Sequence, residues 1–273
     1  LKSIVFRFID LTSAKSILYF LQKYVSRRSR IGNNGSSLHW VQHRETIRKF
    51  ALGGVLFEFG AGKSLIQNLF LSLEVKKQVV VDLNSMLDLK LAEAARVFLS
   101  SQGQCESRGE ITSIQALRDY GIEYIAPYDA AATDFDDHSI DICISTNTLE
   151  HIPKISIKNI FQELHRILKV SGVVSLQIDY SDHYAHTDKS ISILNYLKYN
   201  EVQWQKFNHS CHYQNRLRHY EYLELFVSCG FEIIEDTPHY AKINNFAELE
   251  EMYTQSPVSW AATSGYIVLR KKS

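Results

Sequence analysis

With 273 residues, 45% hydrophobic and 22% charged, the chain is ordinary globular material, long enough for one large domain with a substantial core. Its 30 basic and 30 acidic residues cancel, but ten Lys or Arg against two acidic residues make positions 1–50 +8 and the remainder −8. The four Cys are too few and too scattered for a disulfide framework or a C-x-x-C zinc site, and no apolar run is long enough to span a membrane.

Residues 1–30 read as one or two basic amphipathic helices, with Ile4, Phe8 and Leu11 on one face and Leu18, Leu21 and Val25 on another. Arg7 and Asp10 break the first apolar stretch, which makes it poor as a signal peptide. A Gly/Asn/Ser-rich linker over 27–37 leads to a helix over 38–50. We divide the chain there, into a basic helical extension (1–50) and a main domain (51–273).

In the main domain short apolar runs alternate with helical spacing. Strands are expected at 55–59, 78–83, 123–129, 140–146 and 173–179, and helices at 63–73, 86–101, 111–120 and 156–169, the last stopped by Ser171-Gly172. Residues 180–215 form a polar, aromatic insertion. A helix over 216–230 and strands at 231–236 and 265–271 close the chain. Five strand–helix alternations with short connections predict a doubly wound, mostly parallel α/β sheet of seven strands, Rossmann-like, with the last strand inserted antiparallel.

The loop Gly60-Ala61-Gly62-Lys63-Ser64 directly follows the first strand. As a P-loop it lacks the first glycine, because Phe57 stands there. As a dinucleotide fingerprint it has Leu65 at the third glycine position. The remaining reading needs only two glycines and the acidic Glu58 at the strand end, and it suits a ligand with a cationic amino-acid end. Asp82, ending the second strand 22 residues after Gly60, is placed to accept two ribose hydroxyls. Asp129 follows the third strand, and residues 145–151 follow the fourth.

Glu58-Phe-Gly60-Ala-Gly62, Asp82, Asp129-Ala130, "DFDDHSIDICIST" and "NTLEHIP", followed by "ELHRILKVSGVVSLQI", together resemble class I S-adenosylmethionine-dependent methyltransferases, most closely the broad small-molecule group. The resemblance implies that Glu58, Gly60, Ala61 and Gly62 hold the methionine end of S-adenosylmethionine. Asp82 would take the ribose, Leu83 would lie against the adenine, and Asp129 and Ala130 would take the adenine edge. Thr146 and Asn147 would line the pocket near the sulfonium.

Methyl transfer to a hydroxyl needs the acceptor held in line and often a base. His151, past strand four, is one candidate. His183, past strand five, is the other, with Asp182 as its partner. The stretch "IDYSDHYAHTD" also admits a metal reading through Asp179, Asp182, His183, His186 and Asp188, but no coordination geometry is specified, and no metal is assigned. The aromatic insertion reads as a lid for a sugar or other polyol, and either Arg216 or Arg218 as a contact for an anionic acceptor. The expected acceptor is thus a small molecule or glycan. Nucleic acid is not expected, since the basic residues cluster at the N-terminus and the body is acidic. Residues 1–30 are read as a lid, with peripheral membrane contact the other option. A cytoplasmic location fits the cysteine usage. A non-catalytic S-adenosylmethionine-binding regulator with the same fold is the alternative function.

Overall fold

The structure is a computed structural model that describes residues 37–241 and 258–272. The helices expected over 1–30 lie outside these residues. Seven strands form one sheet in the order β3-β2-β1-β4-β5-β7-β6. Their spans are β1 Val55–Phe59, β2 Lys77–Val81, β3 Ile122–Ile125, β4 Ile140–Thr146, β5 Leu168–Asp179, β6 Phe231–His239 and β7 Ser264–Lys271. β1 to β5 are parallel, and β7 runs antiparallel to both of its neighbours, as expected from the sequence.

The helices are α1 Ser37–Phe50, α2 Ile66–Leu71, α3 Leu89–Ser101, α4 Lys154–Ile167, α5 Glu201–Trp204 and α6 His219–Ser228. Successive strand residues point to opposite faces, so the sheet feeds two cores. Leu56, Val80, Ile142 and Ile144 pack with Ile47 of α1, Leu69 of α2 and Ala92, Ala95 and Leu99 of α3. Phe57, Val79, Val81, Cys143 and Val174 pack on the other face with Phe161 and Leu164 of α4 and Tyr222 and Phe226 of α6. Burial on both faces explains why these strands read as continuous apolar runs instead of alternating ones. The stripe Ile157, Ile160, Phe161, Leu164 and Ile167 is wholly buried, which fits its i, i+3, i+4 spacing.

Three local expectations are corrected. α2 begins at Ile66, not Lys63, because Leu65 takes a left-handed backbone at φ 49° and delays the helix. The segment before β3 is a 3-10 helix over Gln115–Tyr120 only. Ser171-Gly172 do not stop α4. The chain turns at Leu168 and both residues lie inside β5, where the pairing skips from Ile140–Leu168 to Ile142–Val173.

The insertion has its own small core. Tyr196 and Trp204 are buried with Leu194, Leu197, Trp260 and Ala261, while Tyr199, Phe207 and Tyr220 pack around them. Arg218 locks this unit to the sheet. Its guanidinium is 2% exposed and donates to Trp260 O (2.8 Å), Tyr180 O (3.0 Å), Tyr196 OH (2.7 Å) and Ala262 O. Arg218→Met leaves those buried carbonyls without their charged donor, at roughly 1–3 kcal/mol for each orphaned group. We expect a loss of about 3 kcal/mol, or roughly 6–12 °C in Tm for a domain of this size. A melting curve within about 2 °C of the native one would refute this role.

Among the described residues no helix is long and apolar enough to cross a membrane. Cys105, Cys143 and Cys229 are free and buried.

Candidate functional site

The strand order reverses between β1 and β4, and in open α/β sheets ligands enter at such a switch point, past the carboxyl ends of the strands. A cleft of about 490 Å³ lies there, a size suited to a small-molecule ligand. Gly60, Asp82, Leu83, Asp129, Ala130 and His151 all line it, and so do Thr148, Ser156 and Asn159. Glu58, Ala61, Gly62, Thr146 and Asn147 are not in its wall, although the Gly62 N–H donates to Asp82, which is.

Gly60 sits at φ 79°, and a Cβ there would come within 2.4 Å of Thr148 Oγ1, so the loop closes on the turn after β4 only with glycine at this point. Its N–H donates to Val81 O (2.9 Å), which ties the loop to the end of β2. Asp82 therefore lies beside the loop. Its Oδ2 accepts the Tyr124 hydroxyl (2.9 Å) and its Oδ1 accepts the Gly62 N–H (3.4 Å). A carboxylate has about four acceptor positions, so capacity for further donors remains. Burial raises the Asp82 pKa to about 6, against the opposing hydrogen bonds of Tyr124 and Gly62. Asp129 is exposed, and its Oδ1 caps the turn by accepting the Ala131 N–H (2.9 Å). Leu83, 67% exposed, stands at the rim of the cleft.

Glu58 is buried behind the loop. Gln67 Nε2 (3.0 Å) and Asn68 Nδ2 (2.5 Å) donate to its two oxygens, and burial raises its pKa to about 8. From Gln67 a buried chain of hydrogen bonds crosses the sheet. Thr146 Oγ1 donates to Gln67 Oε1 (3.1 Å) and lies 3.0 Å from His43 Nε2, whose Nδ1 is 2.7 Å from Ser175 Oγ, itself 2.7 Å from Tyr266 OH. One consistent assignment has His43 donate from Nε2 and accept at Nδ1. That requires a neutral ring, and burial, then the nearby His39, lowers its pKa to about 3. The network explains why Thr146 turns away from the cleft: its hydroxyl is committed to Gln67 and His43. Gln67, Asn68 and His43 were missed in the sequence. The only signal for the first two is a polar pair on the apolar helix α2.

On the other side of the cleft, His151 places Nδ1 2.8 Å from Tyr213 O, so the Nδ1–H tautomer leaves Nε2 as an acceptor. Desolvation by its neighbours lowers its pKa, against the Tyr213 bond. His183 lies behind it, with ring centroids 4.9 Å apart. The structure corrects the partner expected for His183. Asp182 is fully buried and its carboxylate accepts the Tyr184 N–H (2.7 Å) and Asn195 Nδ2–H (3.3 Å), which makes it a turn-capping group. The carboxylate at His183 is Asp179, with Oδ2 3.4 Å from Nε2. Asp179 closes β5, so a side chain four residues earlier reaches back along the turn.

Two further expectations fail on geometry. Arg216 donates to Tyr199 O, Tyr196 O and Glu201, and Arg218 is buried as described, so both are structural. The insertion's aromatic residues pack on one another and contribute nothing to the cleft wall. Glu150, which the sequence places beside His151 past strand four without a role, is 2% exposed, and neither carboxyl oxygen has a hydrogen-bond partner of acceptable geometry. Burial, then the charge of Asp179, raises its pKa well above the carboxylate range, and the nearby N–H groups of Glu150 and Asp179 oppose this only in part.

Residues 58–176 match the family model described as "Methyltransferase domain". No curated protein matches the chain in sequence. Among solved structures, a chain from the complex between the Haloferax volcanii Trm112 methyltransferase activator and a methyltransferase is similar, with a TM-score of 0.52 and 17% identity, covering 87% of this chain and 92% of that one. The BH2331 protein from Bacillus halodurans C-125 gives a TM-score of 0.52 at 18% identity, with 85% and 98% covered. The PH0226 protein from Pyrococcus horikoshii OT3 gives 0.52 at 15%, with 92% and 97% covered. At these identities the structural likeness speaks for the fold alone.

Proposed function

We propose that the chain is a class I S-adenosylmethionine-dependent methyltransferase, in line with the methyltransferase-domain match over residues 58–176, and that it methylates a hydroxyl oxygen of a small polar acceptor, such as a sugar-containing metabolite. One observation carries this reading. A single cleft brings Asp82, Asp129 and the Gly60 loop to one wall and His151, with an acceptor nitrogen, to the other.

The residues present fit the cofactor. Asp82 keeps acceptor capacity at the cleft wall, and the Gly60 backbone borders the cleft without a side chain. Asp82 would hold the ribose, Asp129 and Ala130 the adenine edge, and Gly60, Ala61 and Gly62 the methionine end, with Glu58 behind them. The bound cofactor supplies a methyl group already activated on a sulfonium. This chain's residues then have two tasks. The cleft wall holds the acceptor oxygen in line. His151 Nε2 takes the hydroxyl proton as the oxygen gains its methyl group. Thr148, Ser156 and Asn159, in the same wall, are the groups we assign to orienting a hydroxylated acceptor. Because the insertion's aromatic residues are absent from that wall, recognition of a sugar by stacking is not part of the proposal.

The protein partner named in the Haloferax volcanii complex belongs to that protein, and no surface of this chain is assigned to such a partner. Residues 1–50 are proposed as an extension that precedes the catalytic domain; of these, α1 packs on the sheet through Ile47 and through the His43–Ser175 bond.

Calorimetric titration of the native chain with S-adenosylmethionine and S-adenosylhomocysteine tests the premise. Micromolar binding of both is the expected result, and absence of binding refutes it. A labelled-methyl screen over glycosides, phenols and amines then reads the acceptor atom, with label transfer only to amines overturning the hydroxyl assignment.

A further inference from the structure

Behind His151, side chains from three segments converge. Asp179, His183 and His186 each offer a ligand atom, all within 4.8 Å of one another, and Glu150, His151 and His183 do the same. His183 belongs to both groups. Asp179 Oδ2 stands 3.4 Å from His183 Nε2 and 3.7 Å from His186 Nε2. Ligands bound at about 2.1 Å around one tetrahedral ion are about 3.4 Å apart, so the two separations from Asp179 already match ligand-to-ligand spacing.

A hydrogen-bonded cluster would account for Asp179 and the two histidines, but it leaves Glu150 unexplained. Both Glu150 oxygens are sealed from water without a partner, and one of them reaches the His183 group. A carboxyl in that position is destabilising whether ionised or neutral. A cation among these ligands removes the cost.

We propose that Glu150, Asp179, His183 and His186 bind one divalent first-row transition ion. Two imidazoles and two carboxylates suit Zn²⁺ or Mn²⁺, whereas Mg²⁺ favours an all-oxygen set. His186 Nε2, now 2.8 Å from Ser181 Oγ, exchanges that hydroxyl for the ion. Asp182 and Asp188 take no part: the first caps its turn, and the second accepts from Ser190 N and Oγ. The ion pins the first turn of the insertion to the ends of β4 and β5. An ion that expands from four to five ligands would take a water or an acceptor oxygen as the fifth. Only that last role rests on the methyltransferase reading; binding of the ion does not.

The full chain, stripped with a chelator and dialysed, is titrated with ZnCl₂, MnCl₂ and CoCl₂. One ion per chain is expected, with visible d–d absorption for Co²⁺. Glu150→Gln and His186→Ala are each expected to weaken binding about 100-fold, at least the cost of losing a supporting group. Glu150→Gln conserves volume and His186 is 37% exposed at its side chain, so both variants keep the fold, which far-UV circular dichroism checks. No stoichiometric binding overturns the proposal, as does equal affinity in the native chain and both variants. S-adenosylmethionine is titrated separately into the metal-free native chain. Cofactor binding without metal binding overturns the ion site and leaves the methyltransferase reading intact; metal binding without cofactor binding does the reverse.

Discussion

Asp82→Ala is expected to weaken S-adenosylmethionine binding about 100- to 1,000-fold. Hydrogen bonds to an ionised carboxylate contribute roughly 1.5–3 kcal/mol each. Two from a ribose diol, taken in the lower part of that range, amount to about 3–4 kcal/mol, which is two to three decades in Kd. Asp82→Asn keeps the size and one acceptor oxygen, so it should fall between the native chain and the alanine variant. The pH dependence is a second signature. With the Asp82 pKa raised to about 6 by burial, the carboxylate is increasingly protonated below that pH. The affinity should then drop by about tenfold per pH unit below 6 in the limit where only the ionised form binds. The stability of the cofactor-free chain runs the other way. A carboxyl whose folded pKa exceeds its unfolded value of 3.8 contributes stability that is fully present below that value and lost as pH rises through about 6. The rise in Tm produced by saturating cofactor should therefore be larger at pH 7 than at pH 5. Isothermal calorimetry and thermal melts across that range read both effects. A Kd for Asp82→Ala within threefold of native would remove Asp82 from the ribose site.

The second large effect is on turnover. His151→Ala should lower kcat by about 10² to 10⁴, the span that a general base contributes, with S-adenosylmethionine affinity within twofold of native. The separation of the two readouts carries the assignment. His151 lines the cleft opposite the Asp82 wall, and its ring makes one backbone bond, to Tyr213 O, so its removal leaves the cofactor side untouched. Initial rates of S-adenosylhomocysteine release on the acceptor found by the methyl screen measure kcat, and calorimetry measures affinity. Loss of affinity with unchanged kcat would instead make His151 part of the cofactor wall.

Much of this site was legible because it sits at strand ends. Glu58, Gly60 and Asp82 are local in sequence to β1 and β2, and an apolar run followed by a polar residue marks a strand's end without any knowledge of packing. The partners of those residues were not legible. Nothing near Glu58 in sequence says that Gln67 and Asn68 will turn back to it, nor that Thr146 will spend its hydroxyl on His43, 103 residues away. Asp182 was chosen for His183 because it is adjacent, but adjacent residues in a tight turn point apart; the turn instead brings Asp179 to the ring, four positions earlier. The aromatic insertion misled for a related reason. Its composition suits a sugar-binding lid, yet a segment outside the main sheet first needs a core of its own, and Tyr196 and Trp204 went into it.

The amino-acid sequence alone determined the order of strands and helices, the doubly wound class and the acidic residues at the strand ends, because apolar periodicity and glycine turns are local signals. Tertiary structure alone decided which carboxylates face the cleft, which are capped and which are left buried without a partner. Asp82, Asp182 and Glu150 are chemically alike in the chain. They differ in the folded protein because hydrogen-bond partners and access to water are set by elements far away in sequence, and those two quantities govern the charge each group carries and the work it can do.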